Sequence, residues 1–208
     1  MKTIRERLLA VCGSVGVGII CYAALTGCGG SNASTSTDIP SGGGLSPETM
    51  ADALYTVLKA DRTVYAKKVI QRLVKDKQVI KANENFEDMD ALPLPAQMFR
   101  MGSELVADDP DAGFSYSLQS LWPINKTNAK KRTEKVMEGL QYCVDNPGEN
   151  YKGYEELGGA KYLVAVYPDV AVAEACASCH NEHKDTPKTD FQVGDVMGGV
   201  VIRIPVNQ

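Results

Sequence analysis

Basic charge is in short supply. The chain sets 22 Lys and Arg against 26 Asp and Glu, for a formal net charge of -4, which argues against a nucleic-acid partner, because such binding rests on cationic contacts to phosphate. Histidine is scarcer still. Only His180 and His183 occur, so any imidazole-ligated centre must use one or both of them. No carboxylate dyad and no nucleophile-base pair stands out, so nothing points to an enzyme. No internal repeat is visible. No kinase, methyl-accepting or cyclase segment accompanies the chain, so a signalling role would need a separate partner.

What is there is concentrated in Cys176-Ala177-Ser178-Cys179-His180. Two thiols three residues apart, followed at once by histidine, form the attachment signature for c-type haem: two thioether bonds to the porphyrin edge and an imidazole aimed at the iron. The spacing has a physical reason, since the pentapeptide must wrap one edge tightly enough for His180 to reach the proximal face. Three rival readings use the same residues. A thioredoxin-like pair normally sits early in a βαβ pattern, whereas this one lies near the C-terminal end. A zinc site of Cys176, Cys179 and His183 lacks a second ligand pair at zinc spacing. A structural disulfide explains neither the short loop nor the place of His180.

The N-terminus carries a second signal. Lys2, Arg5 and Arg7 precede an apolar run from Leu8 to Leu25, the charged and hydrophobic regions of an export signal. The run ends in Leu25-Thr26-Gly27-Cys28, which resembles the bacterial lipoprotein signal. On this reading residues 1–27 are removed and Cys28 carries lipid, with more than one acyl chain as stable anchoring requires. An uncleaved membrane anchor is the alternative, although Gly13, Gly16 and Gly18 weaken it. Both readings deliver the rest outside the cytoplasm, where haem is attached to such motifs. Losing three basic residues and one acidic residue takes the formal charge from -4 to -6. Cys12 and Cys21 leave with the signal, Cys28 takes lipid, and Cys176 and Cys179 take haem. Only Cys143 remains, read as a small buried hydrophobe, so no disulfide framework is available.

Residues 28–45 are rich in Gly, Ser, Thr and Asn and read as a flexible tether. Residues 46–208 are the right length for one domain. Ser46-Pro47-Glu48 is a helix start. Met50, Leu54, Val57, Leu58, Val64, Tyr65, Val69, Leu73 and Val74 then recur at helical steps, which predicts one long helix, or two with a break near Lys75-Asp76-Lys77. Leu92-Pro93-Leu94-Pro95 blocks a helix until Ala96. A second helix should cover Gln97 to Val106 with Met98, Met101, Gly102 and Leu105 on one face. Residues 108–113 form a turn, and Phe114 to Trp122 alternates as a strand. Asn128 to Asp145 is helical, with Val136, Met137, Leu140 and Cys143 on one face. Strands follow at Tyr162 to Tyr167 and Val200 to Val206, with a weaker one at Tyr151 to Glu156, where a glycine interrupts. Helices first and an antiparallel sheet after make the class α+β.

The domain resembles the PAS-like mono-haem c family, long catalogued only as a domain of unknown function in cyanobacteria and other bacteria. The resemblance rests on Leu94-Pro95-Ala96-Gln97-Met98, the stretch Ser117 to Asn125, the motif Cys176 to His180, and Gly194-Asp195-Val196-Met197-Gly198-Gly199 leading into Val200 to Pro205. It implies a PAS-like antiparallel sheet flanked by helices, with one covalent haem c held against the sheet. His183 is too close to the anchored Cys179 to swing to the opposite face of the iron, which leaves the sixth position to methionine, cysteine, tyrosine, lysine, water or nothing. Some relatives use a cysteine from the N-terminal portion. This chain departs from them, having none between Cys28 and Cys143. Met98 and Met101 are the candidate distal ligands, because a thioether commonly partners histidine and raises the potential; Tyr65 is a third. Lys184, Lys188 and Arg203 are candidates for the haem propionates, with solvation as the alternative for each.

The expected protein is thus an extracytoplasmic, lipid-tethered mono-haem c protein. Its role is haem-based redox or small-gas sensing, with a diatomic gas as ligand and a signalling partner. The alternative is one-electron transfer to a redox partner.

Overall fold

In this computed structural model the residues described are 44–126, 132–172 and 174–206. The export signal, Cys28 and nearly all of the 28–45 tether lie outside them. From residue 43 on, the chain forms one unit.

Helix α1 (Pro47–Val64) begins where the sequence asks. The Ser46 side chain accepts a hydrogen bond from the Thr49 N–H at 3.1 Å, with Pro47 in the first turn, and so satisfies one of the donors a helix start leaves open. The helix continues without a break as a π-helical stretch, Tyr65–Asp76, ended by the Lys77 N–H donating to the Arg72 carbonyl and by Gln78 at a left-handed φ of 52°. A two-residue parallel ladder, β1 (Lys81–Ala82) with β2 (Ala91–Leu92), precedes helix α2 (Pro95–Asp108). Pro95 starts α2 one residue earlier than the proline pattern predicts, because proline lacks only an N–H that the first turn would leave unbonded anyway. The Gln97 Oε1 then accepts from the Leu94 N–H.

The remaining elements are β3 (Ser115–Gln119), helix α3 (Glu134–Asp145), β4 (Tyr151–Leu157), β5 (Ala160–Val170), helix α4 (Glu174–Glu182) and β6 (Val196–Pro205). The four-stranded sheet runs β3-β6-β5-β4 and is antiparallel throughout. The chain is therefore α+β, a sheet flanked by helices, as its element order predicts. Gly158 and Gly159, both at positive φ (59° and 82°), close the β4-β5 hairpin in two residues, the backbone that such a tight turn demands.

Strand β5 is buried on both faces, from Leu163 through Tyr167. Leu163, Ala165 and Tyr167, with Val200, Ile202 and Ile204 of β6, face α1 and α2 through Ala51, Leu54, Tyr55, Leu58 and Phe99. Val164, Val166 and Val201 face α3 through Val136, Leu140 and Cys143. Cys143 is fully buried, its Sγ 3.6 Å from the Val166 carbonyl, and burial pushes its thiol pKa up. Helical periodicity misjudges two faces. Val57 and Val64 of α1 point to solvent (59% and 57% exposed). On α2 Phe99 is the buried residue, while Met101 and Leu105 are 37% and 74% exposed. The reason lies in position: α2 packs over β3, where the rings of Tyr116 and Phe99 meet edge to face at 5.0 Å, and that contact sets the helix rotation.

Candidate functional site

Helix α4 carries the motif. Cys176, Cys179 and His180 stand at i, i+3 and i+4, so all three lie on one side of a single helix. Ala177 within it is 1% exposed and packs with Ala171, Phe191 and Met197 at the end of the sheet, beside Trp122 and Cys176. A larger residue at 177 would lift the helix from that floor, on which Cys176 and His180 also rest, while Cys179 is exposed. Cys143, Cys176 and Cys179 are all free thiols, the second half-buried and the third exposed. Among the described residues no disulfide joins these cysteines.

The His180 ring sits edge-on to Phe191, centroids 6.0 Å apart at 89°, and Phe191 in turn sits edge-on to Trp122 at 5.4 Å. Burial lowers the His180 pKa; the Asp169 carboxylate opposes this, while His183 and Arg62 add to it. A neutral imidazole with a free lone pair is the form a metal needs. Among the described residues the ring makes no hydrogen bond. Its electrostatic neighbours, Arg62 and Asp169, form a two-point ion pair at 2.6 and 3.1 Å. Asp169 stands where the β5-β6 register shifts, and the Arg62 guanidinium also lies 5.9 Å from the centre of the Phe99 ring. The pair therefore ties the end of α1 to the end of β5 beside the motif.

His183 is spoken for. Its Nδ1 accepts from the Asp185 N–H at 3.1 Å, which leaves the proton on Nε2 to face the Glu84 carboxylate at 3.2 Å. Both nitrogens are engaged, so the zinc set of Cys176, Cys179 and His183 is not assembled. Among the described residues no three Cys, His, Asp or Glu side chains converge on a common point for a bare metal ion. Lys188 lies over the Trp122 and Phe191 rings at 5.3 and 4.9 Å and pairs with Asp190. It is the propionate candidate standing on the aromatic pair beside the motif. Lys184 is exposed. Arg203 is held by Glu155 (2.7 Å) and Thr133 (3.2 Å) towards the far end of β6, seven residues from Val196.

The three distal candidates fare differently. Met98 is half-buried on α2, next in sequence to the Phe99 that Arg62 covers. Met101 is turned further out. The Tyr65 hydroxyl donates to the Pro93 carbonyl at 2.8 Å, and burial raises its pKa, which opposes the phenolate that iron ligation requires. Sequence reasoning missed Arg62, Asp169, Asn181 and Phe191 around His180. Phe191 left one faint signal, a single aromatic residue in the otherwise polar run from Asn181 to Gln192. Surface cavities of about 600 Å³ (Asp52, Tyr55, Lys152 and Tyr167 among its lining) and about 290 Å³ (between α2 and β3) contain none of the motif residues. Among the described residues no helix is long and apolar enough to cross a membrane.

The donor set suits a covalently held haem. Two free thiols and a desolvated neutral imidazole share one side of a short helix, above a floor of apolar and aromatic side chains. Compared with known families, residues 46–205 match the family model described as Tll0287-like: Tll0287. No curated protein and no solved structure matches the chain.

Proposed function

The chain belongs to the Tll0287-like family, and on that premise we propose that it is an extracytoplasmic, lipid-tethered mono-haem c protein of PAS-like fold. Its role is haem-based redox or small-gas sensing. The observation that carries this reading is the placement of Cys176, Cys179 and His180 on one side of α4, both thiols free and the half-buried imidazole packed on Phe191. Haem c bound there would supply one-electron redox chemistry and a site for a sixth ligand. Cys176 and Cys179 would hold the haem covalently. His180 would supply the ligating lone pair, with the Phe191-Trp122 pair packed at its ring. Lys188 offers a cation for a propionate once it leaves Asp190.

Met98 stands first among the distal ligands, because Tyr65 is committed to Pro93 and Met101 faces outward. The sequence Leu25-Thr26-Gly27-Cys28 supports the lipid tether, and the membrane is then the surface from which a signalling or redox partner is met. A closed His/Met iron would favour the second reading, a one-electron carrier. Spectra of both oxidation states with and without carbon monoxide separate the two. Rapid carbon monoxide binding supports sensing, whereas a ferric His/Met band near the red edge with no response to carbon monoxide supports a carrier. A protein that carries no covalent porphyrin after export from a maturation-competent host would sink both.

A further inference from the structure

We propose that Asn181 is a positioning residue for the iron-ligating imidazole, acting through Phe191; the inference rests on the haem reading above. A ligating imidazole is ordinarily oriented by a hydrogen bond from its second nitrogen. Among the described residues His180 makes none, so its orientation falls to packing, and the ring packed against it is Phe191. What fixes Phe191 is the residue directly after the ligand. The Asn181 Nδ2 donates to the Phe191 carbonyl at 2.9 Å, and the Phe191 N–H donates to the Asn181 Oδ1 at 2.9 Å.

A primary amide presents one donor and one acceptor side by side, so it pairs with the N–H and C=O of one backbone residue as an adjacent strand would. Two bonds fix orientation as well as distance. Phe191 otherwise lies in irregular chain between α4 and β6, where the neighbouring ties are made by Gln192, Gly194 and Asp195. The side chain at 181 thus carries α4's own geometry across to residue 191, only 4% exposed, and back onto the His180 ring. Leucine of similar volume keeps the packing and loses both bonds. Aspartate keeps the acceptor for the Phe191 N–H and loses the donor.

The test uses the exported, haem-loaded full chain with Asn181→Leu, Asn181→Asp, Phe191→Leu and the double variant Asn181→Leu/Phe191→Leu. Each should retain one covalent haem by mass. Asn181→Leu should shift the ferric electron paramagnetic resonance g-values, which follow the imidazole plane, and lower the midpoint potential as water gains the ring. Asn181→Asp should shift the g-values less. The double variant should show no g-value change beyond that of Phe191→Leu, since both act on one contact. A readout that needs no haem is available because the chain has a single tryptophan. Trp122 emission in the haem-free protein should change in Asn181→Leu, reporting release of the ring it packs against. A haem-loaded Asn181→Leu with parental g-values and potential, or strict additivity in the double variant, overturns the role of Asn181 and leaves the haem reading standing. A parent without haem overturns both.

Discussion

The ion pair beside the motif allows a prediction in which two single substitutions act alike on stability and oppositely on the iron. Arg62 and Asp169 meet through two bonds of 2.6 and 3.1 Å with both side chains 25% exposed. Exposed pairs contribute about 0.2–1 kcal/mol, whereas removing one partner of a fully buried pair costs about 3–5 kcal/mol. At this exposure Asp169→Asn or Arg62→Met should cost about 2 kcal/mol, between those limits and reduced by solvent screening. For a domain of this size that lowers Tm by about 4–8 °C, read by circular dichroism. The redox consequence splits the two. Both charges act on His180, the carboxylate raising its proton affinity and the guanidinium lowering it, and the iron beyond the ring feels the same signs. Removing Asp169 leaves a cation that disfavours the ferric state, so the potential should rise. Removing Arg62 leaves the anion, so it should fall. The pair Arg62→Met/Asp169→Leu should return the potential towards the parent and regain part of the stability. Potentials that move the same way in both single variants, or a Tm loss below about 1 °C, would refute the reasoning.

Met98→Ala should alter the ferric spectrum while Met101→Ala leaves it unchanged; if neither changes it, methionine ligation is wrong. A Cβ added at Gly139 in the middle of α3 would meet Val166 Cγ2 at 2.6 Å and Tyr151 Cδ1 at 2.7 Å, so Gly139→Ala should forfeit its helix-propensity gain of about 1 kcal/mol to overpacking of about 1–3 kcal/mol, and urea unfolding should show no stabilisation. The Asp52 carboxyl pKa is lowered by its bonds from Lys152 and Tyr167. A lowered folded-state pKa contributes stability that is present above the ordinary aspartate range and is lost as pH falls through the lowered value. The stability advantage of the parent over Asp52→Asn should accordingly be constant near neutrality and shrink below about pH 4; an advantage that persists unchanged to pH 2 would contradict it.

The long N-terminal helix, the strand at Val200 to Val206 and the placement of Cys143 were legible because each depends on local period and capping. Other features depended on distant partners. Gly153 weakened the expectation of a strand at 151–156, yet the glycine belongs there: a Cβ would lie 2.5–3.0 Å from the Tyr151 ring and hydroxyl folded over it. The rotation of α2 is set by Phe99 against Tyr116, a pairing that α2's own period does not contain. At the site, the covalent signature was fully local, five residues in one helical turn and a half. Its surroundings were not, since Arg62 and Phe191 lie near His180 from 118 residues upstream and 11 residues downstream, and beyond the lone aromatic at 191 neither segment marks the destination.

Covalent attachment at Cys176 and Cys179 underlies the proposed chemistry. The direct measurement is the denatured mass of the protein exported from a host competent in cytochrome maturation, set against Cys176→Ser/Cys179→Ser. The parent should weigh one haem more than its polypeptide and keep its colour in acidic solvent, and the double variant should do neither. A parent mass equal to the bare polypeptide, or pigment extracted by acid solvent, would contradict the account.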